Sequence, residues 1–124
     1  MKVFLFLVAI FLLSCGENTS DKTTANIAEN ITTSNGENLF KANCATCHKS
    51  NEKLIGPALQ GVTARWESKE LLYAFIKNSQ EVISRNAYAK KLFEEYKQSP
   101  MLPYPQLNDE EIEAILKYCD TPIQ

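Results

Sequence analysis

One histidine, one tryptophan and two methionines are spread over 124 residues, with only four glycines between them. A single imidazole excludes any metal site built on two histidines of this chain. No segment alternates apolar and polar residues at the two-residue period of a half-buried strand, which excludes a sheet-built fold and leaves an all-α one. No internal repeat is visible. The longest apolar run, Val3 to Leu13, stops well short of the about 20 residues that a membrane-spanning helix needs. Acidic residues outnumber basic ones, the formal net charge is −2 and no basic stripe exists, which argues against nucleic acid as a partner. The length fits one domain at most.

What the N-terminus does contain is an address. Met1-Lys2 and the Val3–Leu13 run have the charged start and short apolar core of a secretory signal. The run ends Leu12-Leu13-Ser14-Cys15, which resembles the lipobox of bacterial lipoproteins, where the cysteine is diacylated on sulfur and becomes the new N-terminus. An ordinary export signal with a coincidental cysteine is the alternative. On the lipobox reading, residues 1–14 are a lipoprotein signal peptide and Cys15 is the lipidation site. The protein is then exported and held at the periplasmic face of a bacterial membrane, more than one acyl chain giving stable anchoring. Residues 15–34, rich in Asn, Thr, Ser and Glu, read as the lipidated N-terminus and a flexible linker that cannot bury enough apolar area to order itself. Residues 35–124 remain for a globular domain, a size at which one apolar core is marginal.

Within that domain four segments carry helical periodicity. The first runs from about Gly36 to Cys47, with Leu39, Phe40 and Cys44 on one side. An irregular stretch, Lys49 to Glu67, follows, broken by Gly56-Pro57 and Gly61. The second helix starts after Ser68 as N-cap and uses Leu71, Leu72, Phe75 and Ile76. The third spans about Ala87 to Gln98, with Ala89, Leu92, Phe93 and Tyr96 at positions i, i+3, i+4 and i+7. Pro100, Pro103 and Pro105 then forbid regular structure around Met101. The last helix opens at Asn108, with Glu111 three residues on in a capping-box pattern, and buries Ile112, Ile115, Leu116 and Cys119.

The first helix delivers Cys44-Ala45-Thr46-Cys47-His48. Two thiols three positions apart lie about one helical turn from each other, so both reach the vinyl groups on one edge of a porphyrin. The histidine that follows is placed to offer a nitrogen to the iron. This spacing is the sign of covalent c-type haem attachment. Two other uses of the thiols stay open: a redox dithiol, which calls for a βαβ context that is missing here, and a structural zinc site with His48 and Cys119. The ligand count narrows the haem reading further. Met1 leaves with the signal, so Met101 is the sole mature thioether, in a proline-rich loop and not on a helix's apolar stripe. A Met/His pair raises the reduction potential and leaves no open position on the iron. That combination suits electron transfer.

Taken in order, Gly36, Leu39-Phe40, the Cys44–His48 motif, Gly56-Pro57-Ala58-Leu59, Met101 and Asp109-Glu110-Glu111-Ile112 resemble the class I cytochrome c family. The match covers roughly residues 36 to 120. The resemblance implies a small helical domain wrapped around one covalently bound haem c, with Cys44 and Cys47 as thioether links. It implies His48 and Met101 as axial ligands, and a Pro57 carbonyl that accepts the histidine's Nδ1 proton. Leu59 is expected to pack on the haem, and Phe40 with Tyr118 to form the aromatic pair where the first and last helices cross. Arg65 and Trp66 occupy positions where relatives often place donors to the haem propionates, although surface and core roles stay equally open for them. Cys119 stands where an aliphatic residue is usual and reads as a buried, inert thiol, with an intermolecular disulfide as the minor alternative.

The function expected from these features is one-electron transfer, not enzymatic catalysis. The bacterial respiratory chain supplies the setting, between a quinol-oxidising complex and a terminal oxidase or within one such complex. The expected partners are redox proteins and the membrane, without nucleic acid or a small-molecule substrate. The competing reading is a haem enzyme or gas sensor with a displaceable Met101.

Overall fold

The computed structural model describes residues 35–121. Cys15, the signal and the linker therefore lie outside the described residues. Five α-helices and one short 3-10 helix make up the described chain, and none of its residues forms a strand. They are α1 (residues 35–43), the 3-10 helix Val62–Arg65, α2 (Lys69–Lys77), α3 (Ser79–Arg85), α4 (Ala87–Glu95) and α5 (Asp109–Asp120). The fold is all-α. None of the described helices is long and apolar enough to cross a membrane.

Helix α5 starts as its sequence dictates. The Asn108 side chain accepts from the Glu111 amide and the Glu111 carboxylate accepts from the Asn108 amide, both at 2.9 Å. Two of the donors that every helix start leaves unpaired are thereby satisfied. Ile112, Ile115, Leu116 and Cys119 are buried as the periodicity required, with Ala114 beside them. Glu113, on the flank of α5, accepts from Lys69 and Tyr73 of α2 and so ties those two helices at the surface. The tyrosine hydroxyl, more than the lysines, holds the Glu113 carboxyl below the usual carboxylate range.

Between α2 and α4 the structure departs from the expected order. A seven-residue helix, α3, fills the gap after Lys77, and single asparagines form both joints. Asn78 closes α2 and caps α3, its side chain accepting from the Glu81 amide. Asn86 closes α3 and caps α4 by accepting from the Ala89 amide at 2.9 Å. Asn is a strong N-cap because its side-chain oxygen replaces a missing backbone acceptor. Two other boundaries also moved. Helix α1 ends at residue 43, the attachment motif continuing as turns, and α4 ends at Glu95 rather than near Gln98.

Helices α1 and α5 cross at close range. The Phe40 and Tyr118 rings sit 5.5 Å apart at 47°, the expected aromatic pair. Gly36 is what lets the backbones approach. A methyl built there would lie 2.1 Å from the Ala114 carbonyl oxygen, a rigid backbone atom. Gly36 has no left-handed φ, so the requirement is for space alone. Gly36→Ala is expected to cost about 1–3 kcal/mol, the usual penalty for overpacking. A denaturant melt of the haem-loaded protein measures it, and an unchanged midpoint would show that the crossing has slack.

Candidate functional site

The attachment motif leaves α1 in a tight turn. The Cys44 amide donates to the Phe40 carbonyl at 2.8 Å, and the His48 amide donates to the Cys44 carbonyl at 2.9 Å. The chain then folds back on itself through residues 49–60, with Leu59 amide to Lys49 carbonyl at 3.0 Å and Gln60 amide to Ser50 carbonyl at 2.7 Å. This loop returns Gly56-Pro57 to the motif, where the Gly56 amide donates to the Cys47 carbonyl at 2.8 Å.

His48 is oriented by that return. Its Nδ1 lies 2.9 Å from the Pro57 carbonyl oxygen. A carbonyl only accepts, so Nδ1 carries the proton in this pair. Burial pushes the ring below its ordinary pKa, against the opposing pull of the Pro57 bond, so the imidazole is neutral near pH 7. A neutral ring protonated on Nδ1 keeps its lone pair on Nε2, the form that binds metal. The bond to Pro57 also fixes the ring's orientation and raises its basicity.

Cys44, Cys47, His48 and Met101 all line one cavity of about 380 Å³, within the range of cofactor pockets. Pro57, Leu59, Arg65 and Trp66 line it as well. Met101 comes from the loop between α4 and α5, far from the motif in sequence, so the fold brings together the two ligand candidates that elimination had singled out. Much of the remaining wall is apolar, and part of it is only half-buried: Phe75 and Ile76 of α2 and Leu92 of α4 pack on the core and also face the cavity. Apolar faces from three elements meeting around a space, with a histidine nitrogen and two thiols in its wall, fit a porphyrin. The close seating of His48 against Gly56 belongs to the same fit.

Arg65 and Trp66 have structural partners of their own. Arg65 is exposed and its Nη2 donates to the Ala58 carbonyl at 2.6 Å, stitching the returning loop to the 3-10 helix. Trp66 is buried, 4.9 Å from the Phe75 ring and edge-on to Tyr88 at 5.1 Å. Cys119 is fully buried in the core, which raises its thiol pKa to about 11. A thiol without exposure is closed to intermolecular pairing, in keeping with the inert reading. Cys44 is likewise held as a thiol, pushed up to about 11 chiefly by burial. Among the described residues no three His, Cys, Asp or Glu side chains converge where a metal ion would sit, so the zinc reading has no site.

Several lining residues had no counterpart in the sequence argument, among them Tyr104 and Tyr88. Tyr104 follows Met101 by three positions, and its hydroxyl donates to the Asn43 carbonyl at 2.5 Å, joining the Met101 loop to the end of α1. Tyr88 packs on Trp66 from α4. A tyrosine placed among prolines was the available signal for the first.

The tightest steric constraint in the site is at Gly56. A methyl built there would lie 2.3 Å from His48 Cε1 and 2.7 Å from Nδ1. The backbone at Gly56 is not left-handed, so an alanine is resisted by the ring alone. Gly56→Ala is expected to push the ring off the Pro57 carbonyl and to destabilise the holoprotein by about 1–3 kcal/mol. Thermal melting followed in the haem absorption reads this, and a melt superimposable on wild type would refute the constraint.

Comparison with known proteins agrees with this geometry. The Cytochrome c family model matches residues 33–121. Cytochrome c-551 of Bacillus subtilis is 33% identical over 76 residues, covering 59% of this chain and 67% of that protein. Cytochrome c-551 of Pseudomonas denitrificans is 45% identical over 47 residues, covering 37% of this chain and 57% of that protein's length. Among solved structures, a cytochrome c from Rhodothermus marinus superimposes with a TM-score of 0.60 at 29% identity, covering 90% of this chain and 86% of that one. An engineered form of it, bound to a carbene intermediate, gives 0.58 at the same identity, covering 90% of this chain and 87% of that one. With the motif, the Pro57-oriented imidazole and the apolar cavity in place, the chain belongs to the cytochrome c family, monohaem electron-transfer proteins that carry one covalent haem c on a Cys-x-x-Cys pair, here Cys44 and Cys47.

Proposed function

We propose that this protein is a membrane-tethered, one-electron carrier with His48 and Met101 as the axial ligands of its haem iron. The observation that carries the reading is the convergence of the sole histidine and the sole mature methionine on one apolar cavity. Cys44 and Cys47 would hold the cofactor covalently. When bound, the haem supplies an iron that cycles between ferric and ferrous forms one electron at a time.

The chain's own groups favour a reaction in which little moves. Pro57 fixes the His48 ring through Nδ1, and buried Trp66 packed on Phe75 gives the cavity an apolar wall. A thioether at Met101 is a soft ligand that favours the ferrous state. No second histidine exists to act as an acid or base on a bound substrate, which favours a carrier over an enzyme or gas sensor. Arg65 and Trp66 stand in the cavity wall where donors to the haem propionates would be useful. Ile55 and Leu102, 55% and 66% exposed, stand in the same wall and present apolar surface to an approaching redox protein.

The setting is read from the N-terminus. A signal ending in Ser14-Cys15 supports lipidation of Cys15 and attachment to the periplasmic face of a bacterial membrane. The tether raises the effective concentration of the domain near membrane-bound partners. Those partners are, on this reading, a quinol-oxidising complex and a terminal oxidase of a respiratory chain, with the protein moving between them or fixed in one.

The ferric protein is expected to show the weak red-region charge-transfer band of sulfur ligation, and Met101→Ala to abolish it. Persistence of the band in that variant would reject Met101 as the ligand, and ready binding of carbon monoxide or azide by the wild type would favour an open-site enzyme or sensor. In the native host, Cys15→Ser should move the protein from the membrane to the soluble fraction. Continued sedimentation with membranes would reject the lipid anchor.

A further inference from the structure

The break between α2 and α3 puts an unusual residue beside the Met101 loop. Ser79 opens α3 and is 1% exposed, the sole polar residue among the fully buried side chains of the described chain. A buried hydroxyl is costly unless it finds a partner. Its partner is the backbone of Met101: Ser79 Oγ donates to the Met101 carbonyl at 2.8 Å. Three residues earlier, the Ile76 carbonyl accepts from the Tyr104 amide at 3.2 Å. That carbonyl lies in the last turn of α2, where helix geometry provides no internal acceptor use. The segment from Ile76 to Ser79 thus grips the loop from Met101 to Tyr104 at both ends.

We propose that Ser79 is a positioning residue for Met101, its hydroxyl holding the loop so that the thioether stays within reach of the iron. The inference rests on the Met101 ligation proposed above and adds to it the group that controls how readily the ligand leaves. The two ends of the loop differ in kind. Tyr104 is secured by its own amide and by a hydroxyl bond to Asn43. Met101 is secured by Ser79, and the residues on its N-terminal side, Ser99 and Pro100, are exposed. Removing the Ser79 hydroxyl leaves the ligand end of the loop free while the Tyr104 end stays fixed.

External imidazole competes with the thioether for the iron, so its apparent affinity for the ferric holoprotein reports the strength of the hold. Ser79→Ala is expected to raise that affinity by up to about tenfold, the factor that one net hydrogen bond supplies. Val82→Ala removes apolar packing from the same helix, at a residue that is fully buried and outside the cavity wall. It is expected to lower the melting temperature without changing the imidazole affinity. An equal rise in both variants would assign the effect to a loosened helix and overturn the proposal, as would wild-type affinity in Ser79→Ala. Met101→Ala separates the two layers. Loss of the sulfur band there, with unchanged imidazole affinity in Ser79→Ala, overturns the Ser79 role alone, whereas a retained band overturns the ligation and the Ser79 role together. A readout free of any variant is the Ser79 hydroxyl proton of the ferrous wild type. Slow exchange with solvent and cross-relaxation to Met101 are expected, and a freely exchanging hydroxyl would contradict the bond.

Discussion

His48 donates from Nδ1 to the Pro57 carbonyl, and that bond exists only because two other features cooperate. The loop of residues 49–60 must fold back on the motif and Gly56 must lack a side chain where the ring sits, while burial, lowering the ring's pKa, keeps Nε2 unprotonated. Each feature is local, yet together they fix the tautomer and direction of the one nitrogen available for iron. The cavity is then organised around that direction, with the two motif thiols in the same wall as the ring and the remaining apolar faces of α2, α4 and α5 turned toward the space in front of it.

Those faces explain why the cofactor is structural as well as redox-active. Without an occupant, the open cavity of about 380 Å³ leaves its apolar wall in contact with water, each such side chain forgoing roughly 1.5–3 kcal/mol of burial. The net stability of a whole domain is only about 5–15 kcal/mol. Helices as short as α2, α3 and α4 gain little from propensity alone and depend on packing. A covalently held apolar group supplies the missing packing partner, and the thioether links keep it in place when the fold opens. The half-buried state of Phe75, Ile76 and Leu92 is the structural mark of that dependence.

How much of this was legible in the sequence depended on the strength of each local signal. The Cys44–His48 spacing, the Asn108 capping box and the α5 stripe carry their physics in adjacent residues, and they appear in the structure where they were expected. Met101, singled out by elimination, lines the His48 cavity and is the only methionine among the described residues. Helix α3 was illegible by periodicity, because seven residues with only Val82 and Ile83 as large apolar members show no stripe. Its signal was in the caps: Asn78 stands three residues before Glu81, and Asn86 restarts the chain eight residues later. Ser79 was harder still, and Gly36, although part of the family pattern, showed no physical reason in the sequence. Their importance lies in what comes close to them, the Ala114 carbonyl and the Met101 carbonyl, and neither partner is near in sequence.

The two sides of the cavity are built with different rigidity. On the histidine side, backbone bonds from consecutive turns hold the ring, and Gly56 leaves it no room to swing. On the methionine side, α4 ends in a Schellman arrangement, the Gln98 amide donating to the Phe93 carbonyl at 2.8 Å and the Lys97 amide to the Glu94 carbonyl at 3.1 Å. Glycine usually occupies such a left-handed position, but here Lys97 and Gln98 both adopt φ of 59°. Each costs roughly 1–2 kcal/mol relative to a right-handed residue. The strain sits three and four residues before Met101, at the point where the chain leaves α4. Lys53 covers the ring of Tyr96 at 4.4 Å, so the loop from the histidine side braces this turn. On the ligation proposed above, the Met101 side is the less firmly held of the two, following a left-handed turn and tied at Met101 by the Ser79 hydroxyl.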